Sequence, residues 1–246
     1  MRYRIKIIII IIAISNVLIA QENHYSGLFP TINISGNIYK KFDYSLYVFN
    51  AFNFYHISKE KINSETQNTF FINYIEFALS YRFNKYFSTS GAYVYERQNP
   101  VYPGFRNENR YHLQINANIL ISDKFSIKQR LRFDIRFIRN NNADITPLTH
   151  RIRYLAGFNH QLSSKNYISG YNELFLSTST PTDAIYSENW ASIALGMKTK
   201  RLGDFEIGPL YITWITNAQK ERLHLWYLQL LWAFPIHLFN NTQPIE

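Results

Sequence analysis

The chain lacks several features that catalytic and disulfide-stabilised proteins usually carry. It has no cysteine, which excludes disulfide bonds, thiolate-bound metal, a cysteine nucleophile and a lipoprotein anchor. Only 9 of its 246 residues are glycine, and it contains no glycine-rich phosphate loop, G-x-S-x-G elbow or H-E-x-x-H motif. After residue 20, no stretch approaches the ~20 apolar residues that a membrane-spanning helix needs. The sequence therefore argues against a helical membrane protein and offers no catalytic motif.

The first 20 residues have the three parts of a secretory signal peptide. Three basic residues precede an apolar run at 7–14, and residues 17–20 lead to a predicted cleavage before Gln21. Leu18 occupies a position where a small residue is preferred, so an uncleaved inner-membrane anchor is the alternative. We therefore expect a signal peptide at 1–20 and one domain at 21–246.

After the signal, apolar and polar residues alternate along most of the chain. The clearest example is 125–137, FSIKQRLRFDIRF, whose period of two is typical of a β-strand with one apolar and one charged face. Similar segments predict strands at 31–39, 44–57, 70–83, 86–96, 110–121, 125–137, 150–162, 167–176, 188–198, 205–216 and 222–239. The connections between them alternate short and long, and 17% of the residues are aromatic.

Both regularities are typical of outer-membrane β-barrels, which have short periplasmic turns, longer external loops and two belts of aromatic side chains. The sequence thus predicts an all-β fold, a single antiparallel up-and-down transmembrane β-barrel of about ten to twelve strands in the bacterial outer membrane. Segment 44–239 supplies ten strands. Segment 31–39 belongs either to a twelve-stranded barrel with a further partner strand or inside the lumen. A soluble β-sandwich is the competing fold, and it would place Arg132 and Arg136 on the outer surface.

The charged faces of these strands supply the candidate site. An arginine that faces lipid at mid-bilayer costs ~2 to 4 kcal/mol, so the charged face is expected to line the lumen. The predicted lumen charge network is Glu76, Arg82, Glu96, Arg110, Lys128, Arg130, Arg132, Asp134, Arg136, Arg151, Arg153 and Glu173. These residues could form a constriction or binding site for anionic solutes, or the arginines could pair with carboxylates and fill a narrow barrel.

The arginine pairs at 130 and 132 and at 151 and 153 should lie close together on adjacent strands, and like charges so placed need counter-charges. We expect these to come from Glu76, Glu96, Asp134, Glu173 or Glu206. We also expect this network, rather than an apolar core, to stiffen the interior.

Four short motifs resemble those of the domain of unknown function 2490 family of bacterial outer-membrane proteins. They are Glu108 to Gln114 (ENRYHLQ), Arg130 to Phe133 (RLRF), Arg151 to Tyr154 (RIRY) and Asn172 to Leu176 (NELFL), and the resemblance runs from about residue 31 to the end. The chain departs from the family where Trp190 stands in place of an arginine. The resemblance implies an outer-membrane barrel and brings no activity or catalytic residues.

The expected function is structural or passive, with a polar and largely plugged lumen. A narrow channel for small anionic solutes is the runner-up, and a lipid-modifying enzyme is a third hypothesis resting on His56, His112, His150, His160, Ser169 and Glu173. We expect no enzymatic activity, no cofactor and no metal. The expected partners are outer-membrane lipid and lipopolysaccharide, with a small anionic solute as a further candidate. The net charge of +9 is spread over many segments, so no nucleic acid is expected.

Overall fold

A computed structural model describes residues 23–57, 70–98, 106–140, 148–177, 186–215 and 222–236. They form eleven strands: β1 (Asn23–Tyr39), β2 (Phe42–Ile57), β3 (Phe70–Arg82), β4 (Phe87–Gln98), β5 (Arg106–Ser122), β6 (Phe125–Asn140), β7 (Leu148–Gln161), β8 (Asn166–Ser177), β9 (Tyr186–Thr199), β10 (Gly203–Ile215) and β11 (Arg222–Pro235). No helix in this part of the chain is long and apolar enough to cross a membrane. The predicted signal at 1–20 and the end of the last predicted strand, 237–239, lie outside the described residues.

The strands close into a barrel in which each pairs with its chain neighbours, and β1 pairs with β11. The closing pair is parallel and runs from Asn23 opposite Leu223 to Ser35 opposite Pro235, whereas all the others are antiparallel. Strand direction alternates around an antiparallel ring, so an odd number of strands leaves one pair pointing the same way. The prediction of a wholly antiparallel barrel is wrong at this seam.

Segment 31–39 forms the second half of β1 and lies in the barrel wall, paired with β2 on one side and β11 on the other. Both expectations for it are therefore wrong, because it needs no further partner strand and does not lie in the lumen. β1 also begins eight residues before the predicted start, at Asn23. The sequence at 23–30 is polar and contains glycine, so its pattern did not predict this part of the strand.

The two ends of the barrel differ in their connections. At the end we call the turn end, two to four residues join β1 to β2, β3 to β4, β5 to β6, β7 to β8 and β9 to β10. At the opposite end, the loop end, six to twelve residues separate the remaining consecutive strands. This matches the predicted sorting of connections. Because β1 and β11 both run from the loop end to the turn end, the first and last described residues lie at opposite ends of the barrel.

The faces of the strands are as predicted. Phe77, Leu79 and Leu131 are 49%, 50% and 53% exposed on the outer wall, whereas Arg132 and Arg136 are 3% and 7% exposed in the interior. This arrangement contradicts the soluble sandwich, in which the apolar set would be buried and the arginines would face out.

The interior has two unlike halves. The charged residues lie mainly on β3 to β9, while the inward faces of β1, β2, β10 and β11 carry apolar and aromatic side chains. The apolar cluster on these faces also includes residues of β3 and β4; it consists of Phe29, Phe49, Ala51, Ile72, Tyr74, Val94, Leu210, Ile212, Leu223, Leu225 and Tyr227. The expectation that charges rather than an apolar core stiffen the interior is therefore wrong for half of the lumen. On β10 and β11 both faces are apolar, so alternation alone could not reveal the inward set.

Candidate functional site

The register of β6 and β7 places like charges side by side, as the sequence predicts. Arg132 lies directly opposite Arg153, and Asp134 lies opposite Arg151. Adjacent antiparallel positions on one face are only ~5 Å apart, so two guanidinium groups there repel unless carboxylates intervene. The structure supplies those carboxylates from four other strands.

Glu108 on β5 is fully buried and contacts three arginines. Arg136 forms a bidentate pair with it, because its Nε and Nη2 donate to the two carboxylate oxygens at 2.7 Å each. Arg110 Nε donates to Oε1 at 2.7 Å, and Arg106 Nη2 lies 3.4 Å from Oε2. Bidentate charged pairs of this kind are among the strongest and most directional polar contacts in proteins.

The contacts of Arg110 extend this group to both neighbouring strands, β4 and β6. Arg110 Nη2 donates to Glu96 at 2.9 Å, and its Nε lies 4.0 Å from Asp134. Asp134 accepts from Arg151 Nε at 3.0 Å, and Arg151 Nη1 donates to Glu188 at 2.9 Å. We name the resulting group the loop-end cluster; it consists of Glu96, Arg106, Glu108, Arg110, Asp134, Arg136, Arg151 and Glu188. Four positive and four negative charges make it neutral.

A second group of ion pairs lies closer to the turn end. Glu173 accepts two bonds of 2.9 Å from Arg153 and one of 2.7 Å from Arg130. Arg132 donates to Glu76 at 3.2 Å and to Gln114 at 2.8 Å. Arg132, Arg153 and Arg130 thus carry three positive charges against the two of Glu76 and Glu173.

Aromatic rings join the two halves of the interior. The hydroxyl of Tyr74 donates to Glu76, and the indole of Trp190 donates to Glu188 at 3.2 Å. The guanidinium carbons of Arg151 and Arg153 lie 4.9 and 4.3 Å from the centre of the Phe175 ring. Charged and apolar halves therefore meet through cation–π and hydrogen-bond contacts rather than by simple apposition.

The structure brings ten of the twelve predicted network residues together and separates two. Arg82 lies at the turn end, where it pairs with Asp43 at 2.8 Å with about a third of its side chain exposed. Lys128 faces the lumen but has no hydrogen bond or ion pair with any described residue. Among the described residues, Glu206 contacts no arginine. It accepts from Tyr167 and Ser169 at 2.9 and 3.1 Å, so the expectation that it supplies a counter-charge is wrong.

Sequence reasoning missed Arg106, Glu108 and Glu188 as members of the network. The first two lie before the predicted start of their strand at 110, in what was expected to be a loop. Their spacing could have indicated this role, because Arg106, Glu108 and Arg110 are each two residues apart. They must therefore share one face once the strand is extended to include them. Glu188 stood at the first position of its predicted strand, and β9 in fact begins at Tyr186.

A cavity of about 410 Å³ lies between the charged and the apolar halves. Its charged side includes Arg130, Arg132 and Arg153, and its other side includes Tyr47 and Trp214. The cavity thus has two unlike walls, one lined by arginines and carboxylates and the other by aromatic rings.

Among the side chains that the structure describes, the residues that suggested a lipid-modifying enzyme do not form a Ser-His pair. Ser169 donates to Glu206, and Glu173 is held by arginines. His112 is buried 3.9 Å from Glu76, while His150 stacks on the outward-facing Phe133. His160 lies exposed against Phe125, and His56 lies on β2. In the described part of the chain, no group of three metal-ligating side chains is arranged to hold a metal ion.

Comparison with known proteins identifies the family. The family model described as protein of unknown function (DUF2490) matches residues 27–236, which is most of the chain and close to the extent of the described barrel. A search of curated proteins found no match, and neither did a search of solved structures. The chain therefore belongs to the DUF2490 family of proteins of unknown function.

Proposed function

We propose that this protein is an outer-membrane β-barrel with a passive or structural role, whose lumen is closed to free diffusion by buried ion pairs. The observation that carries this proposal is the neutral loop-end cluster. A conducting anion pore needs positive charges that are free to meet a passing ion, whereas these four arginines already contact carboxylates. Opening the lumen would require separating buried charge pairs, which is costly.

The outer wall supports the membrane location. Large apolar side chains cover it, with Leu113 68% exposed and Leu195 60% exposed, far more apolar surface than a soluble monomer shows. Every strand has at least 12 residues, enough for the ~9 to 11 that cross a bilayer. The periplasm would then be at the turn end and the exterior at the loop end.

Exposed aromatic side chains occur near both ends of the wall, as expected for side chains at two membrane interfaces. Near the turn end these are Tyr39, Phe42, Phe83, Tyr86 and Phe87, and toward the loop end Phe54, Tyr55, Tyr93, Tyr111 and Phe137. Outer-membrane lipid and lipopolysaccharide are the partners that such a wall would contact. This pattern gives the aromatic richness of the sequence a physical role.

Conductance in planar bilayers tests the closed lumen. The parent protein should give currents near zero. Replacing Arg132 with Ala removes the contacts to Glu76 and Gln114, so it should lower the temperature at which heating changes the mobility on gels while leaving conductance near zero. Arg82→Ala is the matched control, because it removes an arginine from a pair at the turn end whose side chains are about a third exposed.

The competing function, a narrow channel for small anions, makes the opposite prediction. In that case Arg132→Ala would leave heat stability unchanged and alter an anion current already present in the parent. The enzymatic hypothesis has a separate test, because purified protein in lipid vesicles would then release fatty acid or lysolipid. We expect no lipid turnover, since neither Ser169 nor His112 has a catalytic partner among the described residues.

A further inference from the structure

Positive charge in the lumen is balanced toward the loop end and in excess toward the turn end. In the second group, Arg130, Arg132 and Arg153 face two carboxylates, Glu76 and Glu173. Lys128 adds a fourth cation that has no ion-pair partner in the described part of the chain. Arg130 shares Glu173 with Arg153, and its Nε is buried without a hydrogen-bond partner. Even with Glu206 counted, one positive charge remains without a counter-charge.

Lys128, which is exposed to solvent, and Arg130, which pairs with Glu173, lie two residues apart on the lumen face of β6. Across the sheet, Lys128 on β6 is followed by Gly157 on β7, Tyr171 on β8 and Ser192 on β9. Gly157 lets Tyr171 pack closely against the wall beside Lys128, because a Cβ at position 157 would lie only 3.1 Å from the Tyr171 side chain and 2.8 Å from the Gly170 carbonyl oxygen. The next row places Arg130, Leu155, Glu173 and Trp190 side by side.

Aromatic rings complete the lining of the cavity. Tyr47, Tyr171 and Trp190 line the same cavity and pack against the apolar cluster of the opposite half. The cavity volume of about 410 Å³ falls within the ~300 to 1,000 Å³ of sites that bind small organic molecules. The lining is more highly charged than that of most such sites, which favours a charged ligand, and the aromatic side chains supply its apolar part.

We propose that this cavity binds a small organic anion that carries an aromatic ring, with its acidic group at Lys128 and Arg130 and its ring against Tyr47, Tyr171 and Trp190. An inorganic anion would use the cations and leave the aromatic wall without a role. An uncharged ring would leave the excess positive charge uncompensated. The inference rests on the proposed function, since only a lumen closed at the loop end retains such a ligand instead of passing it.

Tryptophan fluorescence tests the binding. Trp190 and Trp214 line the cavity, whereas Trp226 and Trp232 lie on the outer wall. In a background of Trp226→Phe and Trp232→Phe, the remaining two tryptophans report on the lumen alone. The probe is 4-nitrobenzoate, a quenching aromatic anion, and the uncharged comparison is 4-nitrobenzyl alcohol, which has the same ring.

Three lysine variants supply the contrast. Lys128→Gln removes the unpaired cation without breaking an ion pair, so the variant should fold as the parent does. Lys124→Gln makes the same change in the exposed turn between β5 and β6, outside the lumen. Lys128→Arg keeps the charge at this position.

Saturable quenching by 4-nitrobenzoate is expected in the parent, in Lys124→Gln and in Lys128→Arg. The midpoint should rise by at least about tenfold in Lys128→Gln, the effect expected when a charged partner is removed. The uncharged alcohol should show only unsaturable quenching.

Equal midpoints for Lys128→Gln and Lys124→Gln would overturn the inference, as would equal saturable binding of both probes or unsaturable quenching by the anion. Conductance separates this failure from failure of the proposed function. If the parent protein gives no current in bilayers and does not bind 4-nitrobenzoate, only the proposal of a binding cavity is overturned. If the parent protein conducts anions freely, the proposal of a closed lumen is overturned as well.

Discussion

Replacing Glu108 with Gln is the sharpest test of the buried network. The change keeps the shape of the side chain and removes one negative charge from a fully buried position. Arg136 loses both of its 2.7 Å contacts to a carboxylate, and Arg106 loses the only carboxylate within 4 Å among the described residues. Arg110 retains Glu96 at 2.9 Å. The loop-end cluster then holds four cations against three anions.

Removing one partner of a buried ion pair lowers the free energy of unfolding by ~3 to 5 kcal/mol, because the other charge is left uncompensated in a low-dielectric interior. We expect the free energy of unfolding of Glu108→Gln to fall by this amount. The matched control is Asp43→Asn, which neutralises the partner of Arg82 in a pair whose side chains are 28% and 33% exposed. Exposed pairs are worth ~0 to 1 kcal/mol, so the control should change little.

Urea unfolding of both variants in the same lipid or detergent measures the difference. A double variant, Glu108→Gln with Arg136→Gln, should recover part of the lost stability because it also removes a cation from the unbalanced cluster, a coupling of ~0.5 to 3 kcal/mol. If Glu108→Gln unfolds within about 1 kcal/mol of Asp43→Asn, at the level of an exposed pair, the cluster does not hold the lumen closed and the reasoning fails.

Three further predictions concern the wall, the topology and the signal. Leu113→Arg, at the middle of β5 on the outer wall, should lower the free energy of unfolding in bilayers by ~2 to 4 kcal/mol. Leu120→Arg, near the turn end, should lower it by only ~0 to 1 kcal/mol. Equal effects of the two variants in urea unfolding would contradict the membrane placement. An epitope inserted before Asn23 should bind antibody on intact cells, as should the long loops. An epitope inserted after Pro235 should bind antibody only after the cells are permeabilised. Labelling of both epitopes on the same side of the membrane would refute the odd number of strands. Mass spectrometry of the purified protein should give a mature start at or near Gln21, and an intact segment 1–20 would favour the membrane anchor.

The sequence by itself determined the strands and their faces. In 125–137 only Gln129 interrupts the period of two. Only one assignment of faces keeps the other six charged or polar side chains off the apolar surface. The same reasoning predicted that Arg132 and Arg153 would lie side by side and need carboxylates, which Glu76 and Glu173 provide. These features depend on neighbours in one strand or one hairpin, and local sequence specifies them.

Tertiary structure decided how the barrel closes and how its interior is divided. The parallel pairing of β1 with β11 joins segments some 200 residues apart, and nothing within either segment specifies a distant partner. The apolar half of the lumen was hidden because β10 and β11 are apolar on both faces, so their inward residues, such as Leu210 and Leu225, look like lipid-facing ones. The contacts between strands that are not neighbours also depended on the curved wall, because it brings Arg132 of β6 to Glu76 of β3 and Arg151 of β7 to Glu188 of β9.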